Sequence, residues 1–264
     1  MLFRSHVEEL DFRPVAQYFL VAGTLFFIML AVYGGNSRAS VMALAGIFSN
    51  TLMIGVPLVG LAYGQAGQVL LFTLISLHAL ILLSIATLVL ELQVAREQAA
   101  QSGDVQPVWR TVASAIKNAV IHPVPLPILA GIAYSFTDWG LHPVIDKPLV
   151  LLGNAFGPIA LVLVGITLSQ TPVGQQWKHA LRLSLVKTVV HPALMAAVGW
   201  LLGLRGLPLG VMVLAAGLPI GANVFLFSQR YRKEEDMITA AVAVSTALAV
   251  VTISAVLALL PRLA

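Results

Sequence analysis

Polar and helix-breaking residues cluster at the centre of an apolar stretch, 46–60, whose sequence is GIFSNTLMIGVPLVG. Asn50 carries an amide, Ser49 and Thr51 carry hydroxyls, and Gly55 and Pro57 disfavour a regular helix. An amide both donates and accepts hydrogen bonds, and a broken helix frees backbone N–H groups that suit an anion. These residue types therefore predict an unwound segment that binds a small solute through dipoles, without a buried arginine.

A second stretch repeats this chemistry later in the chain. The sequence GLPIGANVF, 217–225, contains Pro219, Gly221 and Asn223. One such cluster is explained equally well by a packing kink with small residues at a helix contact. Two clusters at related positions favour a solute site, because paired interrupted helices are typical of transporters. We expect the two segments to cross near Asn50 and Pro219, at the middle of a membrane.

Composition determines which class of protein can carry such segments. Of the 264 residues, 59% are apolar and 10% are charged, whereas an average soluble domain has about 25% charged residues. So few charges cannot cover a water-facing surface, and the chain is predicted to be an all-α polytopic membrane protein in a lipid bilayer. The net charge of 15 − 11 = +4 is then a feature of membrane topology and does not indicate a nucleic-acid partner.

Apolar stretches long enough to cross the membrane recur along the chain, since about 20 helical residues cover about 30 Å of hydrocarbon. Eight meet this length: 12–33, 39–62, 68–92, 116–137, 146–169, 180–203, 207–229 and 237–260. A shift of 211 − 41 = 170 residues lays VMALA on VMVLA and places the first three spans on the last three. We therefore predict two repeats, 1–92 and 116–264, joined by a linker at 93–115.

The two repeats are unequal, with three spans in the first and five in the second. A unit of five spans inverts when it is repeated, because an odd number of crossings changes the side of entry. The sequence thus predicts an inverted repeat with eight spans of an inferred ten. The chain is then expected either to have lost about two N-terminal helices or to have been assigned too late a start. More Arg and Lys residues, among them Arg96, Arg110 and Lys117, fall on the linker side, which places the linker in the cytoplasm and both termini outside.

Four segments resemble the auxin efflux carrier family, which includes plant auxin exporters and bacterial malonate-type carriers. They are SNTLMIGVPL (49–58), LPIGANVFLFSQRY (218–231), GPIALVLVGITL (157–168) and VVHPAL (189–194). The resemblance implies an inverted-repeat carrier of ten helices, in which two broken helices cross at the substrate and a bundle slides against a fixed scaffold. It assigns the crossover positions to Asn50, Gly55, Pro57, Pro219, Gly221 and Asn223.

Two departures from the plant exporters favour a bacterial-type carrier, which would lie in a bacterial inner membrane. Ser49 stands where those exporters have a proline, and the linker is short. The same resemblance, together with Gly157 and Pro158, predicts a break in the span at 146–169.

Polar and ionisable side chains inside the spans are secondary site candidates: Ser49, Thr51, His78, Lys187 and His191. A histidine in this setting is more often a hydrogen-bonded structural residue than a proton carrier. A lysine more often extends its ammonium group to the membrane surface than binds a ligand, although Lys187 could also attract an anion on the cytoplasmic side.

Other function classes have less support. The hydrolase motif G-x-S-x-G and the zinc motif H-E-x-x-H are absent from the sequence, so we expect no enzyme, metal or cofactor. A channel stays open as an alternative, because broken helices also line pores, and so does an inactive truncated protein. The leading prediction is a secondary transporter that moves a small organic anion, a mono- or dicarboxylate, by elevator-like alternating access. A second copy of the chain could help to complete the scaffold, so a homodimer is a further expectation.

Overall fold

A computed structural model describes residues 11–102, 140–170 and 176–259, together with positions 130, 134, 137 and 174. The described residues fold into helices joined by short connections, and two of the helices contain wide, π-helical turns. In chain order the elements are α1 (Arg13–Val32), α2 (Ser37–Ile47), π1 (Thr51–Gly55), α3 (Val56–Ser102), α4 (Pro143–Gln170), α5 (Trp177–Leu185), π2 (Val186–Val190), α6 (His191–Leu201), α7 (Gly206–Gly217), α8 (Ala222–Tyr231) and α9 (Glu235–Leu259).

Four helical runs in the described part are long and apolar enough to cross a membrane, one of them bent at Gly64. They are α1, π1 with α3, the run formed by α5, π2 and α6, and α9. They coincide with the predicted spans at 12–33, 68–92, 180–203 and 237–260, which confirms the prediction of an all-α polytopic membrane protein. The predicted span at 116–137 lies almost wholly outside the described residues.

The two stretches predicted to be broken are indeed interrupted. The helices α2 and α7 are short, and each is followed by extended backbone, at 48–50 and at 218–221. These short helices lie at the centre of the bundle, and residues 209–217 of α7 are all buried. The long helices pack around them: α1 contacts α2 and α6, α3 contacts α2 and α7, and α9 contacts α5 and α7.

One predicted break is wrong. Helix α4 runs from Pro143 to Gln170 through Gly157 and Pro158 without interruption. A proline in a helix removes one N–H donor and crowds the carbonyl four residues back, but the backbone of α4 stays helical on both sides of Pro158. A true break therefore needs more than a Gly-Pro pair.

Helix α3 extends beyond the predicted span and includes one sharp bend. Its backbone at Gly64 has φ 60° and ψ −152°, a conformation that glycine adopts readily and other residues do not. The helix then continues to Ser102, so the first ten residues of the predicted linker, 93–102, are helical. Near this end the Glu97 carboxylate accepts hydrogen bonds from the Ser37 backbone N–H at 2.8 Å and hydroxyl at 2.9 Å, which attaches the end of α3 to the start of α2. The rest of the linker lies outside the described residues, and the division into two repeats stays a prediction.

Candidate functional site

The two extended segments cross in direct contact. Residues 48–50 and 218–221 run antiparallel, and Ser49 and Ile220 form an isolated β-bridge. On one side of this pair the Asn50 N–H donates to the Pro219 carbonyl oxygen at 2.9 Å. The predicted crossing near Asn50 and Pro219 is therefore confirmed.

The other side of the crossing is closed by a second backbone hydrogen bond, from the Gly221 N–H to the Phe48 carbonyl oxygen at 3.0 Å. Backbone groups freed by a helix break must find partners, since hydrocarbon supplies none. Here each broken segment supplies partners for the other.

Local sequence explains why the first break takes this shape. The Asn50 side-chain oxygen accepts from the Met53 N–H at 3.2 Å, so it caps the turn that follows. The Gly55 N–H reaches back five residues to the Asn50 carbonyl at 3.1 Å, which widens that turn into π1. Pro57 is the second residue of α3, and because it has no N–H to donate it interrupts the regular hydrogen bonding where π1 passes into α3.

Two glycines permit the close approach of the segments. A Cβ atom at Gly221 would lie 2.8 Å from Cδ1 of Phe48 and 3.1 Å from the carbonyl oxygen of Ser49. At Gly55 it would lie 2.8 Å from Cδ1 of Leu218. A side chain at either position would therefore collide with residues of the crossing segments.

A cavity with an open volume of about 110 Å³ lies beside the crossing. Its lining includes an amide from each broken segment, Asn50 and Asn223, both half-buried. Helices π1 and α8 both begin in its wall, which brings the positive ends of two helix dipoles to the cavity. The remaining lining residues are Phe48, Ser49, Thr51, Leu52, Met53, Ile75, His78, Ala79, Gly221 and Ala222. None of these side chains is an Asp, Glu, Lys or Arg.

The structure separates the predicted site residues into two groups. Those that line the cavity are Asn50, Gly221, Asn223, Ser49, Thr51 and His78. Those that do not are Gly55, Pro57, Pro219, Lys187 and His191. In the second group, Gly55, Pro57 and Pro219 shape the broken backbone, whereas Lys187 and His191 lie in π2 and α6.

A buried hydroxyl from α1 supports the crossing. The Tyr18 hydroxyl lies 3.0 Å from the Ser49 hydroxyl oxygen and 3.4 Å from Nε2 of His78. The His78 ring also packs against Phe48, with ring centroids 4.5 Å apart. His78 is thus a hydrogen-bonded histidine, as predicted. Tyr18 was not predicted, because a single tyrosine in an apolar span has no neighbouring motif that distinguishes it.

Lys187 and His191 differ from their predictions. The Lys187 side chain is buried, and its Nζ donates to the carbonyl oxygens of Ala216 and Leu218. The expectation that it extends to the membrane surface is wrong, because the carbonyls freed at the end of α7 offer a partner inside the bundle. The His191 ring lies 5.5 Å from the Tyr18 ring, and among the described residues neither of its ring nitrogens has a hydrogen-bond partner.

Sequence comparison relates this chain to known membrane transport proteins. The family profile described as "Membrane transport protein" matches residues 12–257. A Rhizobium meliloti (strain 1021) protein named "Putative malonate transporter" is 26% identical over 270 residues, covering 98% of this chain and 81% of the relative. "Auxin efflux carrier component 8" of Arabidopsis thaliana is 23% identical over 278 residues, covering 89% and 76%.

A third relative, "Auxin efflux carrier component 1" of Arabidopsis thaliana, is 28% identical over 141 residues, covering 51% of this chain and 22% of the relative. These relatives are membrane transporters and not enzymes, and they confirm the resemblance to auxin efflux carriers. With a family match that extends from the start of α1 almost to the end of α9, this chain belongs to the membrane transport protein family.

Proposed function

We propose that this protein is a secondary transporter for a small organic anion, a mono- or dicarboxylate, and that the anion binds in the cavity beside the crossing. The observation that carries the proposal is the convergence of two side-chain amides and two helix N-termini on one uncharged cavity. N–H groups at helix starts and the positive ends of helix dipoles favour negative charge.

The Asn50 amide is oriented for this role. Because its side-chain oxygen accepts from the Met53 N–H, its two N–H donors are left for a ligand. Asn223 lies two residues past the second crossing segment, in the first turn of α8. Together they would hold a carboxylate by hydrogen bonds, which are easier to break during release than a buried ion pair.

The size of the cavity favours a small substrate. Its open volume of about 110 Å³ is below the roughly 300–1,000 Å³ of pockets for drug-sized ligands. One relative is named a malonate transporter, and malonate, a three-carbon dicarboxylate, is the first candidate to test here.

The peripheral position of α4 supports an elevator-like movement. Among the described elements, α4 packs chiefly against π1 and α3, whereas the other helices interlock around α2 and α7. Many apolar side chains of α4 are exposed, among them Val144, Leu151 and Leu152. In the proposed mechanism α4 belongs to the fixed scaffold, and the bundle that carries the crossing slides past it. We further propose that the protein lies in a bacterial inner membrane with its linker in the cytoplasm, and that it forms a homodimer.

The test is uptake of labelled malonate by the purified protein in proteoliposomes. A carrier should show saturable uptake and should exchange external label against unlabelled malonate inside. A conductance far above carrier turnover would instead identify a channel. Absence of both binding and uptake across a panel of mono- and dicarboxylates would reject an organic-anion site.

A further inference from the structure

Lys187 is the one fully buried side chain among the Asp, Glu, Lys and Arg residues that the structure describes. Its Nζ donates hydrogen bonds to the carbonyl oxygens of Ala216 and Leu218. Within the described ranges no carboxylate lies within 4.0 Å of this ammonium group. A buried cation without a counter-ion is costly, and two neutral carbonyls offset only part of that cost, so an anion bound nearby would stabilise the charged form of Lys187.

The chain places this lysine through a distortion of its helix. Pro192 has no N–H to donate, and the His191 N–H bonds to the Val186 carbonyl, five residues back. The helix therefore widens into π2, and Lys187 projects from this turn to the carbonyls at the end of α7. Wide turns of this kind often mark functional positions.

The contact changes the electrostatics of the crossing. The C-terminal end of α7 carries partial negative charge, which would repel an anion bound nearby. Two of its freed carbonyls, at Ala216 and Leu218, are instead bound to a cation. From Leu218 three residues of extended chain, a path of roughly 10 Å, lead to Gly221 in the cavity wall, and we take this length as the separation between the ammonium group and an anion in the cavity. Salt screens the interaction between the buried ammonium group and an anion in the cavity only weakly, because both lie inside the protein.

We propose that Lys187 is the fixed countercharge of the anion cavity and acts on the ligand through the carbonyls of the crossing segment that it binds. It makes the site select for negative charge without lining it, and it supplies the positive charge that a bound inorganic cation would otherwise bring. This inference rests on the organic-anion site proposed above.

The test compares malonate with malonamate, its monoamide, which has a similar shape and one negative charge fewer. Their dissociation constants are measured by competition against labelled malonate, for the wild type and for Lys187→Gln. An interaction of unit charges across about 10 Å at an effective dielectric constant near 20 corresponds to about tenfold in affinity. We expect the preference for malonate over malonamate to fall about tenfold in Lys187→Gln and to be retained in Lys187→Arg.

A merely structural role would weaken both ligands equally and leave this preference unchanged, which would overturn the inference. Lys178→Gln is the matched control, because it removes an exposed lysine from the same helical run and should leave the preference intact. If the wild type binds neither ligand, the proposed anion site itself has failed. If it binds malonate but the preference survives in Lys187→Gln, only the role of Lys187 has failed.

A second measurement uses the wild type alone and does not depend on a variant that folds. Malonate binding is measured in sodium, potassium and N-methylglucamine salts of equal ionic strength. Equal affinity is expected, since the cation is built into the chain. A requirement for sodium or potassium would show that a mobile ion supplies the charge, and would overturn the inference.

Discussion

The backbone N–H of Asn50 donates a hydrogen bond to the carbonyl oxygen of Pro219 at 2.9 Å, across 219 − 50 = 169 residues of sequence. Each residue lies where a helix has been interrupted, so the two interruptions satisfy each other. This pairing keeps irregular backbone stable inside a membrane. It also holds the side chains of Asn50 and Asn223 at the same cavity.

Replacing either cavity amide should impair transport more than folding. A hydrogen bond to a charged ligand is worth about 1.5–3 kcal/mol, or on the order of tenfold to a hundredfold in affinity. We expect Asn50→Ala and Asn223→Ala to lose malonate affinity by that factor in binding assays on folded protein. Asn50→Ala should also lose about 1 kcal/mol of stability, because the cap of π1 is removed.

Asn36→Ala is the matched control for Asn50→Ala. Asn36 caps α2 by accepting from the Ala39 N–H at 2.8 Å, but it does not line the cavity. It should show a similar drop in melting temperature with unchanged malonate affinity. Normal affinity in both Asn50→Ala and Asn223→Ala would remove these residues from the site.

The crossing should be intolerant of a single added methyl group at Gly221. A Cβ there would lie 2.8 Å from the Phe48 ring and 3.1 Å from a backbone oxygen, and the backbone cannot move aside easily. We expect Gly221→Ala to destabilise the protein by about 1–3 kcal/mol, the usual cost of overpacking, measured by thermal unfolding in detergent. Gly55→Ala should cost less, because the atom it meets is the end of the flexible Leu218 side chain.

Gly23→Ala supplies the comparison for these variants, since a Cβ at Gly23 in α1 meets no other atom within 4 Å. Its melting temperature should equal or exceed that of the wild type. If Gly221→Ala were as stable as Gly23→Ala, the two segments would not approach as closely as described.

The parts of this fold that could be predicted are those encoded by local chemistry. An amide, a glycine and a proline together, in each of two apolar stretches, indicate interrupted helices, and the related spacing of Asn50 and Asn223 indicates that they meet. The Gly157-Pro158 pair shows the limit of this reasoning. Among the residues that the structure describes, no second interrupted segment pairs with it, and α4 continues through it.

The parts that could not be predicted depend on contacts between distant helices. Lys187 is buried because α7 ends opposite π2 and offers it two carbonyls, and no sequence pattern reveals that alignment. Tyr18 is similar, since its hydroxyl matters only because Ser49 and His78 come within reach. The apolar stretches of the sequence identify the membrane-spanning helices, but they do not identify which polar group will face a freed carbonyl.

Removing the Tyr18 hydroxyl should weaken the support of the crossing. Tyr18→Phe would leave the hydroxyl of Ser49 and Nε2 of His78 without this partner, and a buried hydrogen bond contributes about 0.5–1.5 kcal/mol. We expect a lower melting temperature and slower malonate uptake per folded molecule, because Ser49 lines the cavity. Tyr33→Phe, at a partly exposed tyrosine just past α1, is the control and should change neither. A Tyr18→Phe variant as stable as the wild type would indicate that the hydroxyl contributes nothing.

The sidedness of the chain can be measured directly, because the sequence contains no cysteine and any introduced thiol is unique. Ala100 is exposed near the end of α3, and Gln65 is exposed beside the bend at Gly64, near the other end of the same helix. Since the end with Ala100 continues into the linker that carries Arg96 and Arg110, the positive-inside rule predicts that this end lies in the cytoplasm. In intact cells a membrane-impermeant maleimide should therefore label Gln65→Cys, and it should label Ala100→Cys only after permeabilisation. Comparable uptake of malonate by both variants would establish that the labelled protein is folded. The reverse labelling pattern would place the linker outside and contradict the predicted topology.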